Sequence, residues 1–200
     1  MTRHDFSVIA EQPDTEPQLL TRRHLLGIFA ATTLVAAPTF SNASGLLRGA
    51  GDIRRLKMTN GRSGEIIDMV YWADGQYIPE ALTEINFFMR DLRANKVKNI
   101  DTRTLDILAA AHNLMDVSAP YTLLSGYRTA KTNAQLRRNS RGVAKKSLHM
   151  EGKAADVRLP GRSVTAIARA AAACNSGGVG KYRRSKFVHM DCGPVRSWNG

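Results

Sequence analysis

The stretch Ser147–Leu159, SLHMEGKAADVRL, joins a histidine-bearing loop to an apolar run that carries a single aspartate. Alternation along its second half sends Ala155, Val157 and Leu159 to one face of a strand and Asp156 and Arg158 to the other. A carboxylate in so apolar a setting needs a partner, because an unpaired buried charge is costly. Downstream, Lys186–Cys192, KFVHMDC, repeats the pattern: Val188, Met190 and Cys192 share one face, and Phe187, His189 and Asp191 the other. If the two strands are neighbours, Asp156 and His189 point into one cleft, and the loop before Asp156 brings His149 back over it.

Two neutral imidazoles and one carboxylate match a three-ligand zinc site whose fourth position is left for water, whereas a closed structural site normally takes four ligands. The competing reading pairs Asp156 with Arg158 or a nearby lysine and leaves His149 a plain loop residue. The triplet His149-Met150-Glu151 imitates the H-x-E of zinc deaminases, but no P-C-x-x-C follows, which excludes that chemistry.

The chain's 200 residues and 43% hydrophobic content suit one domain with a real core. Its first quarter reads differently. Arg22-Arg23 precedes the apolar stretch Leu25–Ala37, too short for a membrane span and suited to a twin-arginine-type export signal. Ser41-Asn42-Ala43 offers a small-x-small cleavage site, so residues 1–43 are read as signal, 44–64 as a linker or loosely attached first strand, and 65–200 as the domain. The location expected is the periplasm or cell envelope.

Lys and Arg number 29 against 17 Asp and Glu, a net charge of +12, and residues 1–43 hold more acidic than basic side chains, so the basicity belongs to the remainder. A protein this cationic is drawn to polyanions. Export favours anionic wall or lipid surfaces over nucleic acid, and a solvated basic face with no dedicated partner is the plain alternative. Cys174 and Cys192 both fall on apolar faces; that compartment permits a disulfide, and two buried thiols are equally allowed. The oligomeric state has no signature in the sequence.

Elements follow from local signals. EIIDMVYWADGQYI, residues 65–78, has the form of a hairpin turning at Asp74-Gly75. Pro79 opens a helix bearing Leu82, Ile85, Phe88 or Met89, and Leu92, and Asp101 caps the next, with Leu105, Leu108, Ala109, His112 and Met115 on its stripe. On such a stripe His112 is expected to be a hydrogen-bonded core residue. A strand follows Pro120, then a short basic helix over Asn133–Arg138, an alanine-rich helix capped by Ser163, and two or three short terminal strands. The class expected is α+β, a small, mainly antiparallel sheet flanked by helices.

These motifs also carry a resemblance. Ser147 to Asp156 resembles the S-x-H-x-x-G-x-A-x-D signature of the M15-type zinc D-Ala-D-Ala peptidases, and Ser125-Gly126-Tyr127-Arg128 is similar to the S-G-Y-R segment preceding it. Phe187–Asp191, with Gly193-Pro194-Val195-Arg196 and Trp198, resembles more narrowly an exported murein endopeptidase branch of that family. The resemblance implies Zn²⁺ held by His149, Asp156 and His189, with Arg128 binding a substrate carboxylate, for which its planar fork is suited. It also implies that Ser147 orients the ligand loop and contacts substrate, and that the substrate is the peptide cross-link of peptidoglycan, cut at bonds to D-amino acids.

One position departs from the pattern. The dipeptidase members carry a general-base glutamate three residues before the last ligand histidine, where this chain has Lys186. Asp191 is the replacement candidate, as general base or as a carboxylate behind the ligand histidine; a further reading exchanges the two, with Asp191 on the metal and His189 moving protons. Glu151 is a third candidate. The alternative raised by Lys186 is a catalytically inactive wall-binding domain that keeps the fold.

Overall fold

Asp74 and Gly75 both take positive φ, 51° and 76°, the backbone of a tight hairpin turn whose twist suits the strands it joins. A computed structural model describes residues 51–140 and 142–200; the signal and cleavage site read over residues 1–43 lie outside the described residues. The elements run β1 Arg54–Asn60, β2 Ile66–Ala73, β3 Gln76–Tyr77, α1 Pro79–Phe88, α2 Thr102–Leu114, β4 Tyr121–Ser125, α3 Ala130–Asn139, β5 Ala154–Arg158, α4 Val164–Ala173, β6 Gly178–Tyr182, β7 Phe187–Asp191 and β8 Arg196–Asn199.

Among the described residues all the strands belong to one sheet of order β3-β2-β1-β4-β5-β7-β6-β8, antiparallel except between β1 and β4 and between β6 and β8. The α+β class and mostly antiparallel sheet match the sequence expectation; the size does not, since eight strands are more than a small sheet. The stretch read as linker or loose strand contributes β1, which is firmly held. Its alternate residues Leu56 and Met58 are buried, and it pairs on both sides. Glycines and charges around it hide that two-residue period.

The helix starts fall where their caps predict. Asp101 accepts from the Arg103 N–H and Ser163 from the Ala166 N–H, each satisfying a donor with no partner inside its helix. α1 closes at Phe88, earlier than the periodicity to Leu92 suggests, and α3 is longer than the basic run, capped by Thr129. α2 and α4 pack together and against the sheet, where Leu105, Leu108, Ile167, Val157, Val188 and Met190 form the core. Each such side chain stabilises the fold by about 1.5–3 kcal/mol. His112 is hydrogen-bonded as expected but only half-buried at the edge of the core, its Nε2 2.8 Å from the Ala119 carbonyl and its ring edge-on to Tyr121. Cys174 and Cys192 are buried free thiols.

Since Val157, Val188 and Met190 face the core, alternation puts Asp156 and His189 on the other side of the sheet. Arg158 is not their partner. Its Nε and Nη2 donate to the carbonyls of Lys186 and Ser185, tying down the β6–β7 turn.

Candidate metal centre

β5 and β7 are antiparallel neighbours, and Asp156 and His189 are direct cross-strand partners. The third member comes from a 3-10 turn, Leu148–Glu151, that ends at Gly152 with φ 72°. A side chain at Gly152 would strain that conformation and bring a Cβ within 2.5 Å of the Asn99 carbonyl oxygen. The turn is docked by the Asp101 N–H donating to Gly152 and the Arg128 N–H donating to the His149 carbonyl. His149 is thereby buried above the two strands.

The three side chains meet closely. His149 Nε2 lies 3.2 Å from Asp156 Oδ1 and 3.2 Å from His189 Nδ1, and His189 Nδ1 lies 2.9 Å from the same carboxylate oxygen. One ligand atom from each falls within 4.8 Å of the others. The far nitrogens settle which protons are present. His149 Nδ1 is 2.7 Å from the Gly126 carbonyl and His189 Nε2 is 2.9 Å from Asp191 Oδ2, both partners that only accept. Each neutral ring therefore carries its proton on the far nitrogen and turns a lone pair inward.

Two ring lone pairs and a carboxylate oxygen thus converge on one point, and only a proton or a cation relieves their repulsion. Burial lowers the His149 pKa, outweighing the pull of Asp156. Burial alone would raise Asp156, but His149 and His189 hold its carboxyl far below the usual range. His189 is pushed up to about 9, because hydrogen bonds to Asp156 and Asp191 outweigh its burial. That converging set of acceptor atoms marks the place a cation would take. Two nitrogens and one oxygen, each oriented by a partner behind it, are a donor set that fits Zn²⁺.

Asp191 is fully buried behind His189. Its Oδ1 accepts from the Gly178 and Gly193 N–H groups and from Arg196 Nη1 at 3.0 Å; its Oδ2 accepts from Arg196 Nη2 at 2.7 Å and from His189. Burial opposes its charge, but His189 and Arg196 keep it well below the ordinary carboxylate range. Arg196 also lies over the Trp198 ring, 5.0 Å from its centroid, and Trp198 flanks His189. Gly178 makes room: a Cβ there would stand 2.5 Å from Asp191 Oδ2 and 2.4 Å from Arg196 Nη1.

Of the two roles expected for Asp191, this geometry fits the carboxylate behind the ligand histidine rather than the general base. Asp191 touches the nitrogen of His189 that faces away from the convergence point, so the imidazole lies between it and any reacting group there. The exchanged-role reading fits this placement no better. Glu151 is exposed and paired with Lys153 at 2.7 Å, and Lys186 sits in the exposed β6–β7 turn with φ 54°.

Arg128 is at the site but already engaged. Its Nη2 donates to Asp156 Oδ2 and its Nε to Ser125 Oγ at 2.7 Å. Cross-strand pairing of Ser125 with Asp156 brings these groups together. With Asp156 and Phe187 it lines a cleft of about 280 Å³. Ser147 is buried beside the turn, but its hydroxyl caps none of the turn's N–H groups; its carbonyl accepts from Met150. Orientation of His149 falls instead to the Gly126 carbonyl. Gly126 and Arg196 both stand in motifs visible in the sequence, yet nothing there shows which atom each would hold.

The sequence pattern of the Peptidase_M15_2 family, described as "Peptidoglycan L,D-endopeptidase MepK", matches residues 48–198. The chain is 41% identical over 180 residues to the protein named "Peptidoglycan L,D-endopeptidase MepK" of Escherichia coli (strain K12), covering 88% of this chain and 96% of that one. The same figures hold for the protein of that name in Shigella flexneri. Similarity extends to "Probable peptidoglycan L,D-endopeptidase MepK" of Haemophilus influenzae, 38% identical over 148 residues, covering 74% of this chain and 80% of the other.

Proposed function

Since the chain belongs to the Peptidase_M15_2 family of peptidoglycan L,D-endopeptidases, we propose that it is a zinc-dependent endopeptidase cutting bonds between L- and D-configured residues in peptidoglycan cross-links. His149, Asp156 and His189 are the metal ligands in this reading, supported by the convergence of their three acceptor atoms. Zn²⁺ held by these three side chains would supply a Lewis acid for polarising a carbonyl and activating water. The chain's own groups do the rest.

Gly126 and Asp191 hold the two imidazoles in the tautomers that present lone pairs inward. Arg128 steadies the outer oxygen of Asp156, and a guanidinium with five N–H donors keeps others to offer to the cleft. Those donors suit the negative charge that develops on the scissile carbonyl oxygen, or a carboxylate beside it. Lys186, from its exposed turn, does not replace the family glutamate, and Asp191 serves by position rather than by proton transfer to substrate.

The substrate places the enzyme in the cell envelope. We take residues 1–43, with the Arg22-Arg23 pair and the apolar stretch Leu25–Ala37, as its twin-arginine-type export signal. The test is digestion of purified, cross-linked muropeptides by the zinc-loaded protein, by the same protein after chelation, and by His149→Ala. Products from the first alone support the assignment; equal digestion by all three removes the metal from the reaction.

A further inference from the structure

The cleft that reaches Asp156 carries an uneven set of charges. Arg62, Arg90, Arg93 and Arg128 line it, with Asp91 and Asp156 as its acidic members. Most of these are already matched. Arg128 is paired with Asp156, and Arg90 donates from both Nη atoms to Glu65. Asp91 is buried and accepts from the Thr129 N–H and hydroxyl and from the Arg93 and Ala94 N–H groups, so its charge is met inside the wall. Arg62 and Arg93 remain exposed, and among the described residues neither has an ion-pair partner.

The two arginines are presented in the same way. Buried Asn60 accepts through Oδ1 from the N–H groups of Arg62 and Ser63, and buried Asp91 accepts through Oδ1 from those of Arg93 and Ala94. In each case a buried side chain fixes a turn whose arginine lies two residues on, and all four residues line the cleft. A pinned backbone reduces the entropy lost when a guanidinium closes on a ligand.

We propose that Arg62 and Arg93 form a subsite for a free carboxylate of the substrate peptide, separate from the scissile bond. The proposal rests on the peptidase reading and deepens it: the enzyme selects stem peptides whose carboxyl groups are ionised over those in which they are amides. Arg128 remains with the reacting end, held there by Asp156.

The experiment compares a cross-linked muropeptide with the same compound after its carboxyl groups are converted to amides. For the wild type, amidation is expected to lower kcat/KM. For Arg62→Ala/Arg93→Ala, the penalty for amidation should shrink by roughly tenfold or more, through KM, because charge-assisted hydrogen bonds are no longer made. A penalty unchanged in the double variant overturns the subsite. Binding of both peptides to His149→Ala, with and without the arginine substitutions, reads the subsite without turnover. Carboxylate-dependent binding lost with the arginines, but with no digestion by any form, upholds the subsite and sinks the peptidase reading instead.

Discussion

His189 Nε2 and Asp191 Oδ2 lie 2.9 Å apart, on the side of the imidazole away from Asp156. That bond leaves the Nδ1 lone pair for a metal. Asp191→Asn keeps the shape but removes the charge and one acceptor, so Zn²⁺ affinity is expected to fall by roughly 10- to 100-fold. Competition against a chelating dye measures it, with activity partly recovered in excess zinc. Unchanged affinity alongside lost turnover would restore Asp191 as the proton-transfer group.

Arg196 is the cation that lets Asp191 stay ionised while fully buried. Because the arginine itself is partly exposed, Arg196→Gln is expected to cost about 1–3 kcal/mol in chemical denaturation, mostly from the carboxylate left short of donors. Arg196→Lys should recover only part, since an ammonium cannot span both oxygens. The cost should shrink when Asp191→Asn is already present; strict additivity would show that the two act independently.

Gly126 joins the candidate metal centre to the end of α1. A Cβ there would meet the Met89 carbonyl oxygen at 2.5 Å and the Met89 Cβ at 2.8 Å, so the backbone must move, and with it the carbonyl that orients His149. Gly126→Ala is expected to cost about 1–3 kcal/mol and to weaken zinc binding as well. Gly142→Ala, whose Cβ would meet nothing closer than Ser140 Oγ at 3.7 Å, is the neutral control. Equal stability and zinc affinity in both variants would contradict this link.

Asp91 contributes to the acid limb of stability away from the candidate metal centre. Burial opposes its charge, but hydrogen bonds from Thr132 and Thr129 more than offset this and hold its carboxyl below the usual range. With the folded pKa depressed, its contribution is complete above the unfolded value of about 4 and is lost as pH falls through the folded one. Asp91→Asn should be less stable at pH 7 by about 1–3 kcal/mol and should lose less on acidification. Parallel stability curves for the two proteins from pH 7 to pH 3 would contradict this.

Much of the centre was legible from alternation alone. ADVRL and FVHMD each assign one face to the core, and those same faces appear against α2 and α4, leaving Asp156 and His189 together. Caps were equally readable, because Asp101 and Ser163 act within a few residues of themselves. What alternation cannot convey is which atom of a side chain is used. It put Asp191 on the face of His189 but not on its far nitrogen, and the family resemblance gave Arg128 a substrate carboxylate without the Asp156 that holds it. Those contacts depend on pairings between distant strands. β1 was obscured for a related reason: its partners β2 and β4, not its glycine-rich surroundings, make it a strand.

The central claim is that His149, Asp156 and His189 close on one divalent cation. Anomalous scattering from a zinc-loaded crystal at the zinc absorption edge tests it most directly. The account predicts a single strong peak bonded to His149 Nε2, Asp156 Oδ1 and His189 Nδ1, absent from His149→Ala. A saturated crystal with zinc bound elsewhere, or with no zinc among these three atoms, would contradict it.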